Sequence, residues 1–156
     1  MTEESKKILL QMNPEEFDVS PISWRSLSAL KKHIEAADLI KEYINTNKER
    51  VTDIEIMYFH IGQLLAFSGT EHYSEAIEFF KLSFFLNRSE LWNTYVSATI
   101  AFLEGNIKKI EESIQIIENS KKEDKRQGNL GIIKNFQNSL LLGEKDYGKA
   151  YILPRD

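Results

Sequence analysis

Residues 58–80 read Tyr58-Phe59-His60-Ile61-Gly62-Gln63-Leu64-Leu65-Ala66-Phe67-Ser68-Gly69-Thr70-Glu71-His72-Tyr73-Ser74-Glu75-Ala76-Ile77-Glu78-Phe79-Phe80. Ile54, Met57, Tyr58, Ile61, Leu64 and Leu65 recur three and four apart, which places them on one face of a helix over 53–68. Gly69 stops that helix, as a glycine at a helix end does. A second helix, 73–87, follows, with Phe79, Phe80, Phe84 and Phe85 spread around it. A helix apolar on so much of its circumference must be covered on more than one side. The small Ala76 lets the second helix come close to the first, so the stretch predicts a helical hairpin.

Outward from the hairpin the same spacing continues. Upstream, Trp24, Leu27, Leu30, Ile34, Ala37, Ile40 and Ile44 form one stripe and predict a single long helix over 21–46. Asn13-Pro14-Glu15-Glu16 reads as an earlier helix start: a capping Asn, a proline suited to the first position and an acid three residues on. The rest of the first twenty residues read as punctuation. Downstream, Asn87 or Ser89 caps a helix over 90–104 that Gly105 ends. Asn106 caps another carrying Ile107, Ile110, Ile114 and Ile117. Residues 121–128 read as a mixed-charge loop. A helix over 129–142 carries Leu130, Ile133, Phe136 and Leu140, Gly143 closes it, and a last short helix starts at Tyr147. No stretch alternates with period two, so the chain is expected to be all-α.

Three turns share a pattern. Gly69 precedes Tyr73 and Ala76, Gly143 precedes Tyr147 and Ala150 at the same spacing, and Gly105 precedes Ile107 and Ile110 across a shorter turn. A period in the thirties with paired helices signals stacked hairpins. In order, Tyr58, Ile61, Gly62, Leu65, Gly69, Tyr73, Ala76 and Phe80 resemble a tetratricopeptide repeat with two extra residues in the turn, and Ser83 takes the second small position. Ala98, Gly105, Ile107, Ile110 and Ile114 resemble a second unit, and residues 130–150 a partial third. Arg88 stands where the repeat ends on proline. The resemblance implies a short right-handed α-α superhelix over 53–156. Residues 1–52, with the long helix, would form an N-terminal segment capping the end of the stack.

The resemblance also implies a concave face lined by the first helix of each hairpin. Carried over by position, it holds Ile56, Phe59, Gln63 and Phe67, then Trp92, Tyr95, Thr99 and Phe102. An aromatic groove suits a peptide or protein partner, or a second copy of the chain. Two other readings stay open. The 21–46 helix can fill the groove as core, or a pocket near Trp24, Trp92 and Tyr95 can hold a small ligand.

Composition narrows the chemistry. The 156 residues contain no cysteine, so disulfides, thiolate metal sites and cysteine nucleophiles are excluded. The net charge of −4 gives no overall basic field for nucleic acid. Lys6-Lys7 precede only Ile8, Leu9 and Leu10 before Gln11, too short for a secretory leader, and no apolar run reaches membrane-spanning length. Cytoplasmic residence is expected. His33, His60 and His72 form no metal-binding motif, and no phosphate loop or serine elbow occurs. Glu35, Asp38 and Glu42 sit beside Lys31, Lys32 and Lys41 as a solvated face. The sequence therefore predicts a non-catalytic interaction protein without metal or cofactor.

Overall fold

The computed structural model describes residues 1–85, 90–121 and 129–151, and every regular element among them is helical. The helices are α1 (Glu3–Gln11), α2 (Pro14–Val19), α3 (Trp24–Ala29), α4 (His33–Thr46), α5 (Ile54–Ser68), α6 (Tyr73–Leu82), α7 (Glu90–Glu104), α8 (Ile107–Asn119), α9 (Leu130–Leu141) and α10 (Tyr147–Tyr151). The predicted caps at Asn87 or Ser89, Arg88 and most of the mixed-charge loop lie outside the described residues.

The α5–α6 hairpin depends on one close approach. A Cβ on Gly62 would lie 2.9 Å from two atoms of the Phe80 ring. Phe80 is fully buried and packs on Phe59 with ring centroids 5.1 Å apart. Only a residue without a side chain lets that ring sit against the helix. Ala76 and Ala98 are likewise fully buried, in helices packed on their neighbours.

The long helix expected over 21–46 is two helices. Residues 21–23 are a turn, α3 begins at Trp24, and the chain breaks again at Leu30–Lys32 before α4. The break is a Schellman turn: the N–H of Lys32 donates to the Leu27 carbonyl at 2.9 Å, and that of Lys31 to Ser28 at 2.9 Å. Gly105 and Gly143 end α7 and α9 with the same paired bonds, at φ of 70° and 78°. Lys31 occupies their position at φ 59°. Gly69, grouped with them by spacing, is built differently: its φ of 136° and ψ of 168° lead into the 3₁₀ turn Thr70–His72. The break also turns Leu30 (70% exposed) and Ile34 out to solvent, while Trp24, Leu27, Ala37, Ile40 and Ile44 stay buried.

The second hairpin helix stops at Leu82 rather than running to 87. Side chains of α7 capture the chain there. Trp92 Nε1 donates to the Ser83 carbonyl at 2.9 Å, while Asn93 donates to the Phe85 carbonyl and accepts from the Phe85 N–H. Backbone groups that would extend the helix are satisfied across it instead.

The first and last described helices are both tied back to the middle of the chain. Residues 3–11, read as punctuation, form a helix capped by Thr2, whose hydroxyl accepts from the Ser5 N–H. The α1–α2 link lies on α4. The Tyr43 hydroxyl donates to the Met12 carbonyl at 2.7 Å, Asn47 donates to Leu10 at 3.0 Å, and Phe17 stacks on Tyr43. At the other end, α10 packs against α5 as well as α9. The Tyr73 hydroxyl donates to the Lys145 carbonyl and accepts from the Tyr147 N–H at 2.8 Å.

Two substitutions test these readings with opposite signs. Alanine normally stabilises a helix by about 1 kcal/mol over glycine. Gly62→Ala should instead lower stability by about 1–3 kcal/mol, because the Phe80 ring has to move. Lys31→Gly should raise it by about 0.5–1 kcal/mol by relieving the left-handed backbone, net of the entropy glycine restores to the unfolded chain. Denaturant titrations of both variants read out these signs.

Candidate functional site

Of the eight residues carried over to the concave face, seven lie on the facing sides of α5 and α7, buried or half-buried. Phe59 is the hub, with ring centroids 4.8 Å from Trp92 and 5.4 Å from Tyr95. Further along, Phe67 meets Tyr147 at 5.0 Å and Tyr151 at 5.4 Å, and Phe102 stacks on Phe136 at 4.8 Å. Gln63 Nε2 donates to the Tyr147 hydroxyl at 3.4 Å. Phe59, Tyr95, Thr99 and Phe102 are buried, and Gln63, Phe67 and Trp92 are half-buried. Burial pushes the Tyr95 and Tyr147 hydroxyls well above the ordinary range, so both stay neutral. Tyr147 and Tyr151 of α10 and Phe136 of α9 pack on the Phe67–Phe102 end of this face, and His33 of the 21–46 region also lies against Phe67, ring centroids 5.5 Å apart. Ile56 leaves the group and lines a depression with Pro14, Asp18 and Val51.

His60 is half-buried beside an acid and an aromatic ring. Its Nε2 is 3.3 Å from Asp18 Oδ1, and its ring lies 4.9 Å from that of Trp24. The Arg25 guanidinium lies over the Trp24 ring at 4.2 Å, and its Nε donates to the Asp18 carbonyl. Burial raises the Asp18 carboxyl, and the hydrogen bond and charge of His60 together with Arg25 outweigh it, so the net shift is downward. The acids of α4 form a paired, solvated face: Glu35 with Lys32, Asp38 with Lys41, and Lys41 again with Glu75 on α6 at 2.9 Å. Among the described residues no three acidic or histidine side chains are placed to hold a metal. No helix of these residues is long and apolar enough to cross a membrane.

The surface that stays open lies elsewhere. Met1, Ser5 and Ile8 on the α1 side and Ile22, Ser26 and Leu30 on the α3 side line a groove of about 450 Å³, with Leu9 and Leu27 as its floor. Met1 is 54%, Ile8 59% and Ile22 64% exposed. Serine in the middle of each wall keeps the trough open between its apolar ends. Lys32 lines the groove and also a second depression, shared with Lys31, His33, Phe67 and His72. Sequence reasoning missed the groove because it missed α1. The available signal was Thr2 as a cap, acids at Glu3 and Glu4, and Ser5, Ile8, Leu9 and Met12 at helical spacing.

His33 supplies a measurable consequence. Burial, then the charge of Lys31, lowers its pKa below 6.5, and its Nδ1 is buried without a hydrogen-bond partner among the described residues. A histidine with a depressed folded pKa binds its proton more readily in the unfolded chain. Its contribution is therefore intact above about pH 6.5 and is lost as pH falls towards the folded value. Stability measured between about pH 7 and pH 5 should fall more steeply in the parent than in His33→Gln. Equal slopes would contradict the assignment.

In comparisons with protein families, curated proteins and solved structures, none matches this chain.

Proposed function

We propose that this protein is a non-catalytic interaction module built of tetratricopeptide-like helical hairpins, and that it binds a helical segment of a partner protein. The observation that carries the reading is the α1–α3 groove, where the exposed Met1, Ile8, Ile22 and Leu30 form a mainly apolar trough interrupted by Ser5 and Ser26. Contiguous apolar surface on a folded chain marks an interaction site more often than scattered apolar residues do. Two helices presenting apolar ends and small centres favour a third helix lying between them, with anchors three and four residues apart. The aromatic face is covered in this conformation by α9 and α10, so a partner there would have to displace buried Tyr147. That cost favours the open groove as the binding surface.

Support for the hairpin reading comes from Gly62 under Phe80, the buried Ala76 and Ala98, and the matched turns at Gly105 and Gly143. The chemistry fits a module of this kind: the histidine and carboxylate pairs are structural contacts rather than a convergent set.

The test uses an 18-residue amphipathic helical peptide with leucine at spacings of three and four, followed by fluorescence anisotropy. Parent protein should bind it saturably. Ile22→Asp with Leu30→Asp should abolish binding while changing stability by less than about 1 kcal/mol, since both side chains are already exposed. Retained binding in the double variant would remove the groove from consideration.

A further inference from the structure

The joint between α9 and α10 interrupts an apolar stripe that does not itself stop. Ile133, Phe136, Leu140, Gly143, Tyr147 and Ala150 follow one another at spacings of three and four, and Tyr151 lies four beyond Tyr147. One unbroken helix over 130–151 would carry all of them on a single face. No proline lies in that span to forbid it. The structure breaks the helix at Gly143, whose φ of 78° closes a Schellman turn. The N–H of Gly143 donates to the Leu140 carbonyl at 3.0 Å, and that of Glu144 to Ser139 at 2.8 Å. A Cβ on Gly143 would meet nothing within 4 Å, so only the backbone conformation calls for glycine there. Two local bonds support the bend: the Asp146 N–H donates to Glu144 Oε1 and the Lys149 N–H to Asp146 Oδ1, both at 2.9 Å. Folded back in this way, α10 buries Tyr147 and Ala150 against its own chain. Beside the bend, Leu141 is 63% and Leu142 86% exposed.

We propose that this joint is a hinge through which two copies of the chain exchange α10. When Gly143 turns to the right-handed helical region, α9 and α10 become one straight helix. Tyr147, Ala150 and Tyr151 then leave the face of their own chain, in line with Ile133, Phe136 and Leu140, and need a new cover. The surface that fits them is the one α10 vacates on a second copy. There the Tyr147 ring again meets the rings of Phe67, Phe102 and Phe136, and its N–H again meets the Tyr73 hydroxyl. Every contact of α10 is thus kept between chains instead of within one, which is why such an exchange is a low-cost route to a dimer. The difference lies at the hinges. Both lose their left-handed turns, and about a two-fold axis they lie side by side, where Leu141 and Leu142 gain the cover that a single chain denies them. The α1–α3 groove takes no part, so the proposal stands apart from the function proposed above.

Two substitutions at Gly143 test the hinge in the full chain, read by size-exclusion chromatography with light scattering across a wide range of concentration. Alanine disfavours the left-handed turn and favours a continuous helix, whereas asparagine tolerates the turn. Gly143→Ala should raise the dimerisation constant by about thirtyfold or more, because each dimer relieves two left-handed alanines. Gly143→Asn should stay within about fivefold of the parent. Isotope-filtered NMR on a dimer of labelled and unlabelled chains should find the Tyr147 ring of one copy against the Phe67 ring of the other. Adding Ile22→Asp and Leu30→Asp to Gly143→Ala should leave the dimer intact, which separates exchange from association through the groove. A folded Gly143→Ala chain that is no more dimeric than the parent overturns the proposal. So does a dimer whose Tyr147–Phe67 contacts lie within one chain, or one lost with the groove substitutions. If Gly143→Ala fails to fold, the parent decides: refolded from denaturant at high concentration, it should yield a dimer that persists on dilution, and recovery of monomer alone overturns the proposal.

Discussion

The Tyr73 hydroxyl is the point at which the two ends of the hairpin region meet. It sits at the start of α6, immediately after the first turn, and holds both a carbonyl and an N–H of the segment leading into α10. That contact positions Tyr147 so that its ring fills the space between Phe67, Phe102 and Phe136. The remaining aromatic packing follows from this placement. With Tyr147 absent from the centre, Phe67 and Phe102 would face a void, and truncating rings in such a cluster costs about 3–5 kcal/mol each. A hydroxyl that both donates and accepts is well suited to the task, because it satisfies two backbone groups at a helix start where no intrahelical partner exists.

Much of the helical content was readable because each stripe has a partner to face. Ile107, Ile110, Ile114 and Ile117 on α8, and Ile133 and Phe136 on α9, meet neighbouring helices on the side their spacing predicts. The break at Lys31 was not readable for the opposite reason. Leu30 and Ile34 continue the apolar rhythm of the stripe, yet both point into solvent, and neither Ala29, Leu30, Lys31 nor Lys32 is a helix breaker. Spacing records what a side chain is, not whether anything covers it. The end of α6 was hidden similarly, since it is set by Trp92 and Asn93 from another helix rather than by any local signal.

The site followed the same division. Of the aromatic face, Phe59 on α5 and Trp92 and Tyr95 on α7 lie ring against ring, because α5 and α7 present them at helical spacing to the same interior. Whether that set is open is decided by α10, five residues long, which no local pattern marks as a lid over a surface forty or more residues away in sequence. The open groove, by contrast, is made of side chains that look like ordinary core residues: Met1, Ile8, Ile22 and Leu30 carry no polar signature, and only their exposure distinguishes them.

The link from α6 to α10 has a consequence for how the chain can grow and how it comes apart. In a linear array each hairpin touches only its neighbours, so units can be duplicated and the array can unravel from either end. Here the last helix is bonded to the first hairpin, so an extra unit inserted before α10 would pull Tyr147 away from Tyr73 and empty the aromatic interior. Contacts that span this much sequence also form late, after loop closure, and once formed they couple distant segments. Amide exchange across α5, α7 and α9 should therefore report one shared opening event rather than a gradient running along the chain.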